Sequence, residues 1–398
     1  MKPQQYTIVY IADILCTGGV SSFLQSITGY MKKRGYHVLI VSKVDPAFNY
    51  PSLLPNCDVR VIRDRFDRRA HVLKKIFVTL AEWRAYADAL NAILNTRHVA
   101  AVHYNNVLSA FGVFLLCPRV YQYPRIITVH GDRARELASE DIRHPIRSLH
   151  IFAMTMIQRF VLHRCTHIVG VSNNLTRHLR RKYPRVNRHI VCIKNGIDMP
   201  SVQLKRNGSN EKRVIKLINI SRFEKRKGHA LLLHAVASML DTYPNITLDM
   251  FGPFRNDFYN LLLQYESLQT GTHIHIYPEL TPKSRRVALL QSTLFIMPSL
   301  ELENCPFSVI EALAMGIPVV ATPVEGLVEM IRPVDRRLLA KNVTPEALAK
   351  AITWFLSQSR KEKIAISNRC KTIARQQYNS ELNYIQYEKL YAFSPTYL

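Results

Sequence analysis

Two carboxylates and two cations in this chain are placed where chemistry is easier to explain than surface decoration. Glu303 closes a polar turn, Ser299–Asn304, directly after the apolar run Leu294–Pro298. Such a loop, at the carboxyl end of a strand, is where open α/β sheets bind ligands. Glu311 lies between Ile310, Ala312, Leu313 and Ala314, a poor setting for a purely solvated charge. Arg222 and Lys227 sit in the segment Ser221–Gly228 (SRFEKRKG), after a second apolar run, Val214–Ile220. Carboxylates so placed can accept hydrogen bonds from a bound ligand. Cations on a strand-to-helix loop, together with a helix N-terminus, can hold a diphosphate. Each also has a plainer explanation: a loop acid, a carboxylate complementing a helix dipole, a basic surface loop.

The elements that must position these residues are legible around them. Leu294–Pro298 reads as a buried strand. The helix after the turn has Pro306 in its first turn, where a missing N–H costs nothing, and Gly316 stops it. A second β-rich run, Ile317–Thr322, begins at once, completing a βαβ unit of a buried parallel sheet. The same alternation runs through the chain. Strands are expected at Tyr6–Ala12, His37–Ser42, Ala100–Tyr104, Ile126–Val129, Ile168–Val171 and Ile190–Ile193, with helices at Val20–Lys33 and near 71–95 and 145–164. After the polar stretch Pro200–Arg213, strands recur at Val214–Ile220, Ile246–Phe251 and Ile274–Tyr277, and helices at His229–Leu240, Asp257–Leu268 and Lys283–Gln291. Helices at Pro345–Phe355, Lys361–Gln377 and Glu381–Tyr391 close the sequence. This predicts an α/β protein of two doubly wound parallel sheets: residues 1–199, a linker at 200–213, residues 214–379, and a C-terminal helix at 380–398 that can pack back on the first domain.

Further candidates lie at predicted strand ends. Gly18-Gly19-Val20 follows the first strand, where glycines allow a phosphate or sugar to approach the backbone; it is not a G-x-G-x-x-G fingerprint. His130 ends Ile126–Val129, Ser172-Asn173 follow Ile168–Val171, and Asn195-Gly196-Ile197-Asp198 closes the first half. The sequence has no D-x-D, Walker loop, G-x-S-x-G elbow or C-x-x-C pair, and no metal site is expected.

The segment Glu303-Asn304-Cys305-Pro306-Phe307-Ser308-Val309-Ile310-Glu311, continuing as Ala312 to Thr322, resembles the E-x7-E motif of retaining GT-B glycosyltransferases, the large family-4 group using nucleotide sugars. Arg222 to Gly228 is similar to that family's R-x4-K-G segment, and Gly18-Gly19, His130-Gly131, Val171-Ser172, Asn195–Asp198 and Glu325–Glu329 match further steps. The resemblance implies two Rossmann-like domains facing an interdomain cleft and a UDP- or GDP-sugar donor with no other cofactor. It also implies roles. Arg222 and Lys227 would stabilise the leaving diphosphate; Glu303 and the backbone of Asn304, Cys305, Pro306 and Phe307 would hold the donor sugar. Glu311 would hold the ribose, His130 would contact the sugar, and Gly18-Gly19 would close over the phosphates. Ser172 and Asn173 would lie near the acceptor, and Glu325–Glu329 would form a loop over the diphosphate. Tyr277-Pro278-Glu279-Leu280 departs from the family pattern and leaves the base open.

Net charge separates the halves. Residues 1–200 carry 29 Lys+Arg against 12 Asp+Glu, and the rest 25 against 17. The excess clusters at Arg60–Lys75, Arg143–Arg164 and Arg177–Arg188. Such patches favour anionic lipid, nucleic acid or an acidic acceptor, or simply solubilise a face. Without a hydrophobic leader or an 18-residue apolar stretch, the expectation is a cytoplasmic, metal-independent hexosyltransferase, peripheral on the inner face of the cytoplasmic membrane. Its acceptor would be a glycan or lipid-linked intermediate in polysaccharide or lipopolysaccharide synthesis, and nucleic acid is not the expected partner. The alternatives are a nucleotide-sugar epimerase or small-molecule glycosyltransferase of the same fold, or a non-catalytic binder of polyanions. The loop placement of Arg222 and Lys227 predicts that alanine at either would leave stability nearly unchanged.

Overall fold

The apolar runs become parallel strands at the carboxyl ends of which the candidate residues sit. The computed structural model describes residues 6–16, 18–45, 54, 57–63, 72–132, 145–200, 214–253, 273–277 and 280–392. They fall into two units, residues 1–196 with 380–398, and residues 197–379.

In the first unit the order is β1 (Thr7–Leu15), α1 (Gly19–Lys33), β2 (His37–Val44), β3 (Asp58–Val61), α2 (Val72–Thr96), β4 (Val99–Tyr104) and α3 (Val107–Leu116). Then come β5 (Arg125–Val129), α4 (Pro145–Leu162), β6 (His167–Gly170), α5 (Asn173–Lys182) and β7 (Ile190–Cys192). The sheet runs β3-β2-β1-β4-β5-β6-β7 and every pairing is parallel. Its central strands are apolar on both faces, as a sheet covered by helices on both sides requires; Ile8, Val9, Ile11, Ala101, Val102 and Ile126 are fully buried.

The second unit contains β8 (Ile215–Ile220), α6 (His229–Ala237), β9 (Ile246–Phe251), β10 (Ile274–Tyr277), α7 (Pro282–Gln291), β11 (Leu294–Met297), α8 (Phe307–Ala314) and β12 (Val319–Ala321). Helices α9 (Glu325–Ile331), α10 (Pro345–Ser357) and α11 (Arg360–Gln377) follow. Its parallel sheet runs β10-β9-β8-β11-β12. Both sheets reverse strand order once, between β1 and β4 and between β8 and β11, the doubly wound arrangement that places a ligand crevice outside the carboxyl ends at the reversal.

The last helix, α12 (Ser380–Tyr391), belongs with the first unit. Its Tyr384, Tyr387 and Tyr391 are buried beside Tyr10, Phe23 and His103. The Tyr391 hydroxyl bonds His103 Nδ1 at 2.6 Å and the Tyr10 hydroxyl at 3.1 Å. His103 Nε2 meets Thr128 Oγ1 at 2.8 Å, and Thr128 meets the Tyr387 hydroxyl at 3.0 Å.

Several expectations shift. β1 extends three residues past Ala12 into what reads as a loop. The short edge strand β3 and helices α3 and α5 go unread in the sequence, and Glu325–Glu329 opens α9 instead of forming a loop. Pro306 is the N-cap of α8, one residue before its first turn. The helix expected at Asp257–Leu268, nearly all of the linker and the Pro278-Glu279 step lie outside the described residues. No helix among the described residues is long and apolar enough to cross a membrane.

Candidate active site

Three loops converge at the carboxyl edge of the second sheet, where β8 and β11 lie side by side. The first leaves β8 as Ser221–Glu224, makes a 3-10 turn at Lys225–Lys227, and reaches α6 through Gly228 at φ 71°. That left-handed conformation suits glycine, and a Cβ there would overlap the Pro298 carbonyl oxygen. Backbone contact is correspondingly close, with the Leu300 N–H donating to Arg226 O at 2.8 Å. The second, residues 298–306 after β11, meets the third, residues 322–324 after β12, where α9 begins: Gly326 in its first turn rests against the Glu303 carbonyl with no room for a Cβ. Thr322 Oγ1 donates to Ser299 O at 2.5 Å.

This convergence puts Lys227 on Glu303. Lys227 Nζ donates to Glu303 Oε1 at 2.5 Å, and Ser299 Oγ donates to the same oxygen at 2.8 Å. Both residues are buried, 8% and 7% exposed. Arg226 Nη1 lies 3.8 Å from Glu303 Oε1, and its Nε donates to Glu224 Oε2 at 3.0 Å. Arg222 Nη1 pairs with Glu224 Oε1 at 3.0 Å, so Glu224 ties the two arginines into one cationic rim. Burial pushes the Glu303 carboxyl up, but Lys227, Arg226 and the Ser299 hydroxyl outweigh it and hold the group below the usual carboxylate range, ionised. Burial lowers Lys227; the Glu303 charge opposes this, and Arg226 and Arg222 add to it. Beneath the loop His229 is fully buried, with Nε2 3.0 Å from Ser221 Oγ. Burial, then the nearby Lys227 charge, takes its pKa down to about 3, so it is a neutral prop.

Glu311 projects from α8 toward α7, where Arg285 Nη1 reaches its Oε1 at 3.3 Å. Its Oε2 is buried and makes no hydrogen bond among the described residues. Burial raises this carboxyl, and Arg285 only partly opposes the shift. Cys305 and Phe307 are buried core side chains, so only their backbone is available to a ligand. Asn304 and Pro306 are partly exposed, and the N-terminus of α8 has no side-chain cap.

In the first unit the corresponding edge holds its described lysines in other pairs: Lys43 Nζ, at the end of β2, lies 3.2 Å from Asp13 Oδ1 and 3.3 Å from Glu82 Oε2. Gly18 caps α1 at φ 153°, and a Cβ on Gly18 or Gly19 would meet open space. His130 follows β5, stacks edge-on against Phe23 at 4.9 Å, and donates from Nε2 to Asn105 Oδ1 at 3.2 Å. Burial lowers its pKa to about 4, leaving a neutral imidazole at ordinary pH. Asp132, fully buried, takes bonds from Lys182 Nζ (2.7 Å) and His178 Nε2 (2.8 Å). Ser172 is committed to capping α5, its Oγ accepting from Leu175 N at 3.1 Å, whereas Asn173 is exposed.

Three roles escape a sequence reading. Ser299 and Arg226 address the Glu303 carboxylate, and Arg285 addresses Glu311; Arg226 is thus not simply solvated, while Lys225 is exposed. A serine four residues before a turn acid is the one signal that was available. The expectation of an unburied Lys227 is also corrected, because close packing of Gly228 on Pro298 carries its neighbour into the interior.

Both halves of the chain match glycosyltransferase families, and the chain belongs to the GT-B glycosyltransferases. Residues 17–199 match the model of Glycosyltransferase Family 4, and residues 202–377 that of Glycosyl transferases group 1. Among solved structures, a sucrose-phosphate synthase from Thermosynechococcus elongatus superposes with TM-score 0.75 at 18% identity, covering 97% of this chain and 98% of that one. Anabaena HepE, solved with UDP-glucose, gives 0.73 at 16% identity over 97% and 100%. A glycosyltransferase from Rickettsia africae gives 0.70 at 19% identity over 97% and 98%. No curated protein matches the sequence.

Proposed function

We propose that the chain is a retaining, metal-independent hexosyltransferase that takes a sugar from a nucleotide diphosphate, UDP or GDP, and passes it to a lipid-linked or surface-polysaccharide acceptor at the cytoplasmic membrane face. The observation that carries this reading is the buried Lys227–Glu303 pair at the β8/β11 reversal, rimmed by Arg222 and Arg226. The difficult step in sugar transfer is breaking the anomeric C–O bond to an anionic diphosphate. Fixed cations in a site shielded from water stabilise that developing charge without having to reorganise. Lys227 and Arg222 take this role.

Glu303 is held ionised and receives Lys227 and Ser299 on one oxygen; the other is assigned to a donor-sugar hydroxyl. Glu311, pinned by Arg285 through Oε1, is assigned to the ribose. His130, neutral, is suited to a hydrogen bond with a sugar hydroxyl rather than to proton transfer near neutral pH. Gly18 and Gly19 leave room for phosphate or sugar. The departing phosphate oxygen takes the acceptor proton, so no protein nucleophile is required. The likeness to a protein solved with UDP-glucose favours UDP. Incubation with UDP- and GDP-sugars should release the nucleotide slowly in the absence of acceptor, and EDTA should leave that rate unchanged. No turnover of any donor, together with tight, salt-sensitive RNA binding, would identify a polyanion binder instead.

A further inference from the structure

The first unit also holds a cationic cavity at the amino edge of its sheet, opposite the loops that carry Gly18 and His130. Helix α4 leads into β6, and the 3-10 turn Pro184–His189 leads into β7, so both end where those strands begin. Between them lies a cavity of about 380 Å³ lined by Met156, Arg159, Phe160, His163, Arg164 and Arg185. Half of its lining residues are arginines and none is an acid. The one-signed setting extends well beyond the cavity. Residues 148–197 contain nine Lys/Arg and no Asp or Glu, and residues 89–131, which include α3, β4 and β5, contain three Arg and no acid. A surface of one sign concentrates counter-ions.

The walls of the cavity are held in place. Phe160 packs on Phe111 of α3 with ring centroids 5.0 Å apart. The Arg164 guanidinium lies over the Phe160 ring at 3.4 Å and donates from Nη1 to Phe160 O at 3.3 Å. The turn that carries Arg164 is tied to β5. Buried Arg125 donates from Nε to Arg164 O at 2.7 Å, and from Nη1 to Tyr121 O and Tyr123 O at 2.6 and 2.7 Å. His163 Nδ1 donates to Arg159 O at 2.7 Å, so Nε2 is the ring nitrogen left for a ligand. The side chains of Arg159 and Arg185 make no hydrogen bond or ion pair among the described residues. Cations at a helix C-terminus complement the helix dipole, which accounts for His163 and Arg164, each bonded to a carbonyl of the last turn. It does not account for Arg185, which comes from another element. In the second unit Arg222, Arg226 and Lys227 each meet a carboxylate. Here three guanidiniums share one cavity without any, and like charges so gathered repel until an anion enters.

We propose that this cavity binds a phosphate group, as a monoester or a diphosphate, free or carried on a lipid. A guanidinium fork matches two phosphate oxygens at once, which an ammonium group does not, and all three cations here are arginines. Met156 and Phe160 give the bearer of the phosphate an apolar wall. The volume falls at the small end of ligand sites, about 300–1,000 Å³, and suits one phosphorylated small molecule or one headgroup. A nucleic-acid strand would instead need a groove that follows its backbone. The site lies at the opposite sheet edge from Gly18 and His130, and the inference does not rest on the glycosyl-transfer reading.

Titration calorimetry with inorganic phosphate and with pyrophosphate, at ionic strength held constant with sodium chloride, tests this. Arg159→Gln combined with Arg185→Gln should weaken binding about tenfold or more, as expected from losing charge-assisted bonds. Arg185→Lys, which keeps the charge and loses the fork, should fall between the double variant and wild type. Both arginines are exposed and unbonded, so the melting temperature should be unchanged. Anions can also meet the cations of the second unit; Arg222→Gln should therefore leave the part of the isotherm that the double variant removes. Vesicles of phosphatidylcholine mixed with phosphatidic acid distinguish the source. Sedimentation that the double variant loses assigns the phosphate to a lipid headgroup, and calorimetric binding without sedimentation assigns it to a free phosphorylated molecule. Equal binding by wild type and the double variant would overturn the proposal. So would a wild-type chain that binds neither the soluble anions nor the vesicles. Binding of a single-stranded RNA oligonucleotide that the double variant loses, and that pyrophosphate does not compete, would also overturn it and assign the arginines to a nucleic-acid backbone.

Discussion

The two sheets share one topology, yet their carboxyl edges are furnished differently. The second unit gathers Lys227, Arg226, Arg222, Glu303 and Glu224 at its reversal point, two of them buried and joined at 2.5 Å. Among its described residues the first unit ties its lysines into pairs, Lys43 with Asp13 and Glu82 and Lys182 with Asp132, beside Gly18 and Gly19, a neutral His130, Asn105 and aromatic rings. One edge is suited to oppose concentrated negative charge, the other to contact hydroxyls and rings. A fold that can be wound twice from similar βαβ units thus differs between its halves by what is placed in the loops. The βαβ frame itself is neutral on the question.

The comparison is broken hardest at Lys227. Lys227→Ala leaves Glu303 buried beside a lost partner, and breaking a buried pair costs about 3–5 kcal/mol. For a domain of this size that lowers the melting temperature on the order of 10 °C, and transfer should fall below detection. Differential scanning calorimetry beside a donor-hydrolysis assay reads both effects. Lys227→Met combined with Glu303→Leu should recover much of the stability and none of the activity, because the two effects are coupled.

Arg222→Ala comes next. Arg222 is partly exposed and paired with Glu224, so melting should stay near wild type. Loss of one charge-assisted bond of roughly 1.5–3 kcal/mol at tenfold per about 1.4 kcal/mol predicts a 10- to 100-fold fall in kcat/KM. Lys225→Ala, on the exposed side of the same turn, should match wild type in both measurements. Equal activity in the two variants would remove the diphosphate role from Arg222.

The smallest effects separate the units by pH. Burial depresses the pKa of His103, His130 and His167 in the first unit and of His229 in the second. A depressed base stays neutral in the folded chain while its unfolded counterpart takes a proton below the ordinary value of 6.5. Stability therefore falls as pH drops from there toward about 4. Glu303, whose pKa is lowered, adds a loss only below the ordinary carboxylate range of about 4.3. Hydrogen exchange followed by mass spectrometry between neutral pH and pH 5, corrected for intrinsic rates, should show protection falling faster in the first unit. Equal loss in both units would mean that the buried histidines do not govern acid sensitivity.

How much of this was readable in the sequence depended on the range of the contacts. The βαβ unit around Glu303 is local, and its apolar runs, Pro306 and Gly316 gave strand, helix and stop within a residue or two. Short or exposed pieces left little periodic signal: β3 has four residues, none of them buried. Residue types at Arg222, Lys227, Glu303 and Glu311 pointed to their loops, but their partners could not be read. Lys227 and Glu303 are 76 positions apart, and Arg285 and Glu311 are 26 apart. The burial of Lys227 follows from Gly228 lying against Pro298, a backbone contact no side-chain pattern announces.

Helix α12 binds the first unit to the order of synthesis. Tyr391 supplies the hydroxyl shared by His103 and Tyr10, so the buried network under β1, β4 and β5 lacks its closing piece until residues 380–391 exist. At about 5–20 residues per second, the ribosome delivers that helix on the order of ten seconds or more after the rest of the first unit has emerged. Meanwhile Tyr10, Phe23 and His103 stand without their cover. A nascent chain halted in the second unit would therefore leave the first one, translated but for α12, as the part most open to chaperones and proteases.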